Sequence, residues 1–93
     1  MKPFYTDRAL LDLEIAFDWY ENQFPGLGRE FLDCIEEKIQ KIQDFPKAYP
    51  IHHENFRRAL VRKFPFSIFY TIEEQLIVLH AIFDNRQSPD SQP

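Results

Sequence analysis

Fifteen consecutive residues, Phe56–Tyr70 (FRRALVRKFPFSIFY), hold four cations, Arg57, Arg58, Arg62 and Lys63, and no acid. The rest of the run is aromatic and aliphatic, which reads as β-strand. Side chains alternate between the two faces of a strand. Phe56, Arg58, Leu60, Arg62 and Phe64 therefore share one face, and Arg57, Ala59, Val61 and Lys63 share the other. Neither face is purely apolar, and arginine is rarely buried without a partner. A sheet built on this strand must turn one side to water or to something anionic.

With 93 residues the chain is expected to form one domain, residues 1–93, around one core. Ten phenylalanines give that core a large buried area per residue. Cys34 is the only cysteine, so no internal disulfide can form, and the N-terminus shows no signal-peptide pattern. No apolar run approaches the roughly 20 residues that span a bilayer. Together these features point to a soluble protein of the reducing cytoplasm. Net charge is −4, divided unevenly. Residues 1–45 hold five cations against ten anions, and residues 46–93 six against five. An acidic protein is a poor general binder of nucleic acid, because non-specific affinity comes from neutralising phosphates. A local basic strip can still meet phosphate or an acidic protein.

Residues 2–5 suit a short strand, with Pro3 confining it to an edge or a strand start. Thr6 or Asp7 can cap the helix that follows. In that helix Leu10, Leu13, Phe17, Tyr20 and Phe24 form one apolar stripe, and Leu11, Ile15 and Trp19 form a second nearly opposite. Such a helix is either sandwiched between two elements or offers one face to a partner. Phe24-Pro25-Gly26-Leu27-Gly28 breaks it, the glycines serving to reverse the chain. A second helix runs to about Asp44 with Leu27, Phe31, Leu32, Ile35, Ile39, Ile42 and Phe45 in one broad stripe. The short link makes the pair an antiparallel helical hairpin. Cys34, at the edge of that stripe, reads as packing. A loop is expected to Asn55, then three strands, Phe56–Phe64, Phe66–Ile72 and Leu76–Phe83, in an antiparallel meander. The last is apolar on both faces, which favours a covered position. Residues 87–93 are polar and expected to fray.

Catalytic chemistry is sparsely represented. His52, His53 and Glu54 adjoin one another, but no second set of ligands lies at a useful spacing, so no metal site is assigned. His80 sits in an apolar strand and reads as a hydrogen-bonded structural residue. No nucleophile context, glycine-rich phosphate loop or Walker pattern is visible, and no cofactor is implied. What remains is cationic: Arg58, Arg62 and Arg86 belong to one small sheet and are expected to converge. Three roles stay open for them. They can clamp a phosphate and stabilise transition-state charge, pair with an acidic partner, or pair with the chain's own surplus of acids.

The sequence WYENQFPGLGREFL, followed by an IxxFP, a YP, FRRALVRKFPFSIFYTIE and IVLHAIFDNRQSP, resembles the RelE/ParE toxin superfamily of type II toxin–antitoxin modules. The resemblance runs from about Asp7 to Pro89, and GLG, FPF and the terminal R-x-x-P are its most specific parts. It implies an α+β fold in the order β-α-α-β-β-β, with a helical hairpin on a small antiparallel sheet. It also implies an antitoxin, usually a small DNA-binding protein with an acidic C-terminal segment that wraps the toxin. RelE-like members cleave mRNA on the ribosome with basic residues of the sheet and usually a C-terminal tyrosine or similar group. ParE-like members lack the full set and poison DNA gyrase.

Here Arg58, Arg62 and Arg86 match the basic positions. Asp84 stands where many relatives carry histidine, and no tyrosine follows Tyr70. In-line cleavage needs a proton acceptor and a proton donor, and arginine serves poorly as either. The resemblance therefore favours a ParE-like gyrase inhibitor without chemistry of its own. The rival readings are a ribosome-dependent endoribonuclease using Arg58, Arg62 and Arg86, and a toxin-like module that binds without being toxic. For the antitoxin, Leu11, Ile15 and Trp19 are expected to receive an amphipathic helix. Arg57, Arg58 and Arg62 are expected to receive its acidic residues.

Overall fold

The computed structural model describes residues 1–93. Helix α1 (Asp7–Gln23) starts where the Thr6 hydroxyl accepts from the Ala9 backbone N–H at 3.2 Å. The same oxygen lies 3.1 Å from the carbonyls of Leu79 and His80, which ties the helix start to the sheet. The inward face of α1 is centred on Ala9, Ala16 and Tyr20, with Leu13 and Phe17 half-buried. Leu10 and Phe24, expected inside, are exposed. Two small alanines therefore share the inward face with Tyr20.

Helix α2 (Leu27–Asp44) begins at Gly26, whose φ of 91° lies in the left-handed region that glycine adopts without strain. Gly26 has no side chain to cap the helix, and Glu21 of α1 does so instead. Its carboxylate accepts from the N–H of Gly26 and of Gly28, each at 3.0 Å. Gly28 plays a different part from the chain reversal expected of it: it lies inside α2. A Cβ there would stand 2.9 Å from the Phe17 carbonyl oxygen, so its value is close approach of the two helices. Phe31, Ile35, Ile39 and Ile42 are buried as the periodicity predicts, while Phe45 at the helix end is exposed.

Five strands form one sheet in the order β1-β5-β4-β3-β2. β3 (Phe56–Val61), β4 (Phe66–Glu73) and β5 (Leu76–Asp84) make the expected antiparallel meander. β1 (Lys2–Tyr5) joins at the edge, where Pro3 is tolerated, but runs parallel to β5. The sheet is therefore mixed and not wholly antiparallel. The Thr6 N–H continues the pairing by donating to the Leu79 carbonyl at 3.1 Å. A further strand, β2 (Ile51–His53), occupies the far edge in the segment expected to be loop. It turns back on β3 through Glu54, whose φ is 51°. β3 ends at Val61, three residues short of the expected Phe64. Val61 pairs with Phe66, so residues 62–65 must serve as the turn, and Pro65 has no N–H to offer a ladder.

The core lies between the helical hairpin and one face of the sheet. Tyr20, Phe31, Phe64 and Phe66 meet there, with ring centroids from 4.8 to 6.2 Å apart. Such edge-on and offset geometries are favoured by the ring quadrupole. β5 lies between β1 and β4, as its two apolar faces require. On the face away from the helices, Phe69, Ala81 and Phe83 form a small second cluster. The tail is more organised than its polarity suggested. Pro89–Ser91 make one 3₁₀ turn capped by Ser88, and the Ser91 carbonyl accepts from Arg8 at 2.7 Å. No helix is long and apolar enough to cross a membrane.

Candidate functional site

The four arginines singled out in the sequence do not form one surface. Arg57 pairs across the ladder with core residue Tyr70, so it lies on the helical side of the sheet. There it donates to the carbonyls of Tyr49 at 2.7 Å and Lys47 at 3.3 Å. Arg58 pairs with Phe69 and lies on the opposite face. Its guanidinium donates to Ser67 Oγ at 2.9 Å and Asn85 Oδ1 at 3.4 Å, and Ser67 in turn donates to Asn85 at 2.8 Å. Arg62 has left the strand for the turn and stands beside Lys38. Arg86 makes a two-pronged pair with Asp84 at 2.9 and 2.7 Å.

The expected convergence of Arg58, Arg62 and Arg86 is thus absent. Of the three roles left open by the sequence, pairing with the chain's own acids holds for Arg86 alone. Arg57 and Arg58 have neutral oxygens as partners, and alternation sends them to different faces. The Tyr70 hydroxyl is engaged within the chain as well. It donates to the Pro46 carbonyl at 2.6 Å, and burial pushes its pKa up to about 12.

A continuous accessible surface lies elsewhere, on the outer side of α1. Leu11, Ile15 and Trp19 recur at helical spacing and remain 56, 60 and 48 % exposed. Ile15 and Trp19 border a depression of about 260 Å³ between α1 and the end of β5, with Tyr20, Phe83, Asp84 and Arg86 also in its wall. That is smaller than a typical site for a drug-sized ligand and suits one large side chain. The Trp19 ring meets Tyr20 edge-on at 5.1 Å, and the Arg86 guanidinium lies 5.4 Å from the Trp19 centroid. The arginine therefore has an aromatic face on one side and a carboxylate on the other.

Electrostatics in this depression are closed on themselves. Hydrogen bonding from Arg86 holds the Asp84 carboxyl below its ordinary value, against the effect of burial. Burial raises the Asp12 pKa, although its carboxylate accepts from the Ile82 N–H at 3.0 Å at the point where β1 no longer covers β5. The Tyr20 hydroxyl is the exception. It is buried with no partner in hydrogen-bond geometry. Burial raises its pKa, and the nearby Arg86 charge works the other way. Orphaned buried hydroxyls are uncommon; this one lies in the wall that an incoming side chain would touch.

Sequence analysis identified the Leu11, Ile15 and Trp19 stripe but not its surroundings. Asp84 and Arg86 follow the last strand, where spacing carries no sign that they fold back against Trp19. Tyr20 belongs to the inward stripe, which marked it as core alone.

Comparison with known proteins bears on the whole chain. Residues 4–89 match the family model described as the ParE toxin of the type II toxin–antitoxin system, parDE. Among solved structures, the chain is similar to one titled as the chromosomal ParDE TA system from P. aeruginosa. The TM-score is 0.80, with 20 % identity, covering 90 % of this chain and 95 % of the other. That likeness is one of fold. No curated protein matches the chain. The element order, the GLG turn and the family match over residues 4–89 agree: the chain belongs to the ParE family of type II toxin–antitoxin toxins.

Proposed function

We propose that this toxin acts in the cytoplasm by binding DNA gyrase, without a bond-making step of its own. We propose too that its antitoxin restrains it by laying an amphipathic helix along α1. The observation that carries this reading is the exposed line of Leu11, Ile15 and Trp19 beside a depression one side chain in size. An amphipathic helix presents anchors at the same three- and four-residue spacing. An aromatic residue in a partly desolvated recess is a frequent energetic centre of protein interfaces.

The case against catalysis is chemical. General acid–base cleavage needs a group ready to accept a proton and another ready to supply one. Asp84 is a weak base, because Arg86 stabilises its charged form. Tyr70 is engaged with Pro46, and Arg58 with Ser67 and Asn85. Supercoiling by purified gyrase is expected to fall as micromolar toxin is added, and to recover when antitoxin is supplied. Unchanged supercoiling would sink the gyrase reading. Codon-phased 3′ ends on translated mRNA, lost in Arg86→Ala, would install the ribosomal one in its place.

A further inference from the structure

Helix α1 carries Arg8 against Asp7, Asp12, Glu14, Asp18 and Glu21, which is the whole of the protein's net charge of −4; the remaining residues balance. Two of these acids are occupied within the chain. Asp12 accepts from the Ile82 N–H and lies 3.8 Å from Arg8, and Glu21 caps α2. Asp7, Glu14 and Asp18 are exposed and make neither a hydrogen bond with their side chains nor an ion pair. At 3.6 residues per turn all three fall on one side of the Leu11, Ile15 and Trp19 stripe. Glu14 and Asp18 are one turn apart, where like charges repel, and no basic residue stands in the last turn of α1 to offset them. On the other side of the stripe is the depression whose wall holds Tyr20. That residue is 7 % exposed, and its hydroxyl lacks a partner. An apolar line therefore runs between an uncompensated acidic row and an unsatisfied buried hydroxyl.

We propose that α1 is built to receive a basic amphipathic helix, whose apolar face covers Leu11, Ile15 and Trp19 and whose Lys or Arg residues lie along Asp7, Glu14 and Asp18. The inference rests on the reading of α1 as the docking face and specifies the chemistry of what docks there. Charge chooses this occupant. A second copy of the toxin would bring an equally acidic α1 against the first, and like charges brought together across an interface oppose association. Nucleic acid and an anionic membrane are repelled by the same row. A helix fits where an extended chain does not, because its residues repeat at the spacing of the stripe and of the acids beside it. Cations flanking its apolar seam fix its direction and register on α1. On the far flank the depression holds Arg8 and Arg86 with Asp12 and Asp84, so its charges cancel. That flank calls for no charge, and its open need is a polar atom for the Tyr20 hydroxyl. In sign this partner is the reverse of the acidic segment that the resemblance implies, so the two belong to different parts of the toxin's surface.

The test uses the intact toxin and neither gyrase nor antitoxin. Fluorescein-labelled helical peptides with one seam of Leu and Ile are titrated at low and moderate salt; they differ only in their flanks, which carry Lys, Gln or Glu. The Lys peptide is expected to bind at least about tenfold more tightly than the Glu peptide at low salt, with the Gln peptide between them. The gap should narrow as salt rises. Glu14→Gln combined with Asp18→Asn is expected to weaken the Lys peptide by about fivefold, the effect of two exposed ion pairs. Glu37→Gln, which removes an exposed acid of α2, is expected to change it less than about twofold. Backbone amide shifts on adding the Lys peptide should centre on residues 7–19, a readout that needs no variant. Lys and Glu peptides of equal affinity, both shifting α1, would overturn the charge inference and leave α1 as the docking face. Binding by none of the peptides, or shifts away from α1, would remove the docking face as well. A Lys peptide of scrambled order that binds as tightly would reduce the effect to unspecific attraction and overturn the proposal too.

Discussion

On the side of the sheet away from the helices, Arg58 reaches Ser67 and Asn85, and His80 meets Thr71 and the ring of Phe56. Phe69, Ala81 and Phe83 are sealed beneath them. On the outer side of α1, Leu11, Ile15 and Trp19 stay about half exposed or more. Neither region belongs to the main core, yet one has closed over itself and the other has not. Polar side chains on a sheet find partners on neighbouring strands a few ångströms away. Apolar side chains on an outer helix face have no such recourse and stay in contact with water. The basic strand that first draws attention in the sequence thus serves mainly to close the sheet, and the helix carries the accessible surface.

The largest effect that distinguishes the two regions is expected from Arg58→Ala. It removes the guanidinium that spans Ser67 and Asn85. The expected cost is about 1–3 kcal/mol of folding stability, the range for hydrogen bonds involving a charged group. Urea unfolding reads it. A variant as stable as the parent would mean that Arg58 is a free cation after all, and the contrast between the two regions would collapse. Trp19→Ala should behave in the opposite way. Its loss of stability is expected to stay below about 1 kcal/mol, since half of the ring is in water and its cation–π contact is exposed. The complex with antitoxin should weaken by more than about 1 kcal/mol, measured by calorimetry. Equal affinity would place the helix of the partner elsewhere on the toxin.

Much of this architecture could be read from the sequence, and the exceptions share a cause. Periodicity marks both helices and the three long strands, because burial of one face leaves its imprint every two, three or four residues. β2 has no such imprint, since Ile51, His52 and His53 are all exposed and are held by backbone pairing to β3. Ala9 and Ala16 stand outside the predicted stripe because small residues add little to it, although both are buried. Chain reversal is the role expected of Gly28 from the sequence, whereas what it provides is room beside the Phe17 carbonyl. The candidate site was legible in proportion to its regularity. The α1 stripe repeats and was found. Arg86 over Trp19 and Arg62 beside Lys38 depend on how a turn folds back, and no spacing rule records that.

The smallest effect expected is a pH dependence that belongs to the sheet face alone. His80 is partly buried, with Thr71 Oγ1 at 2.8 Å, the Phe56 ring at 4.8 Å and the Glu73 carboxylate at 3.8 Å. Burial lowers its pKa below 6.5, and the nearby Glu73 charge offsets only part of that. The folded protein therefore takes up this proton less readily than the unfolded chain does. Its stabilising contribution is fully present above the ordinary histidine value and is lost as pH falls below that value and through the folded pKa. Urea midpoints are expected to drop between about pH 7.5 and pH 5.5, and His80→Gln should flatten that slope while keeping a polar group near Thr71. The outer face of α1 carries no histidine, so the exposure of Leu11, Ile15 and Trp19 should not change over the same interval. If the slope survives in His80→Gln, the buried imidazole is not its source, and the sheet face is less tightly closed than its hydrogen bonds imply.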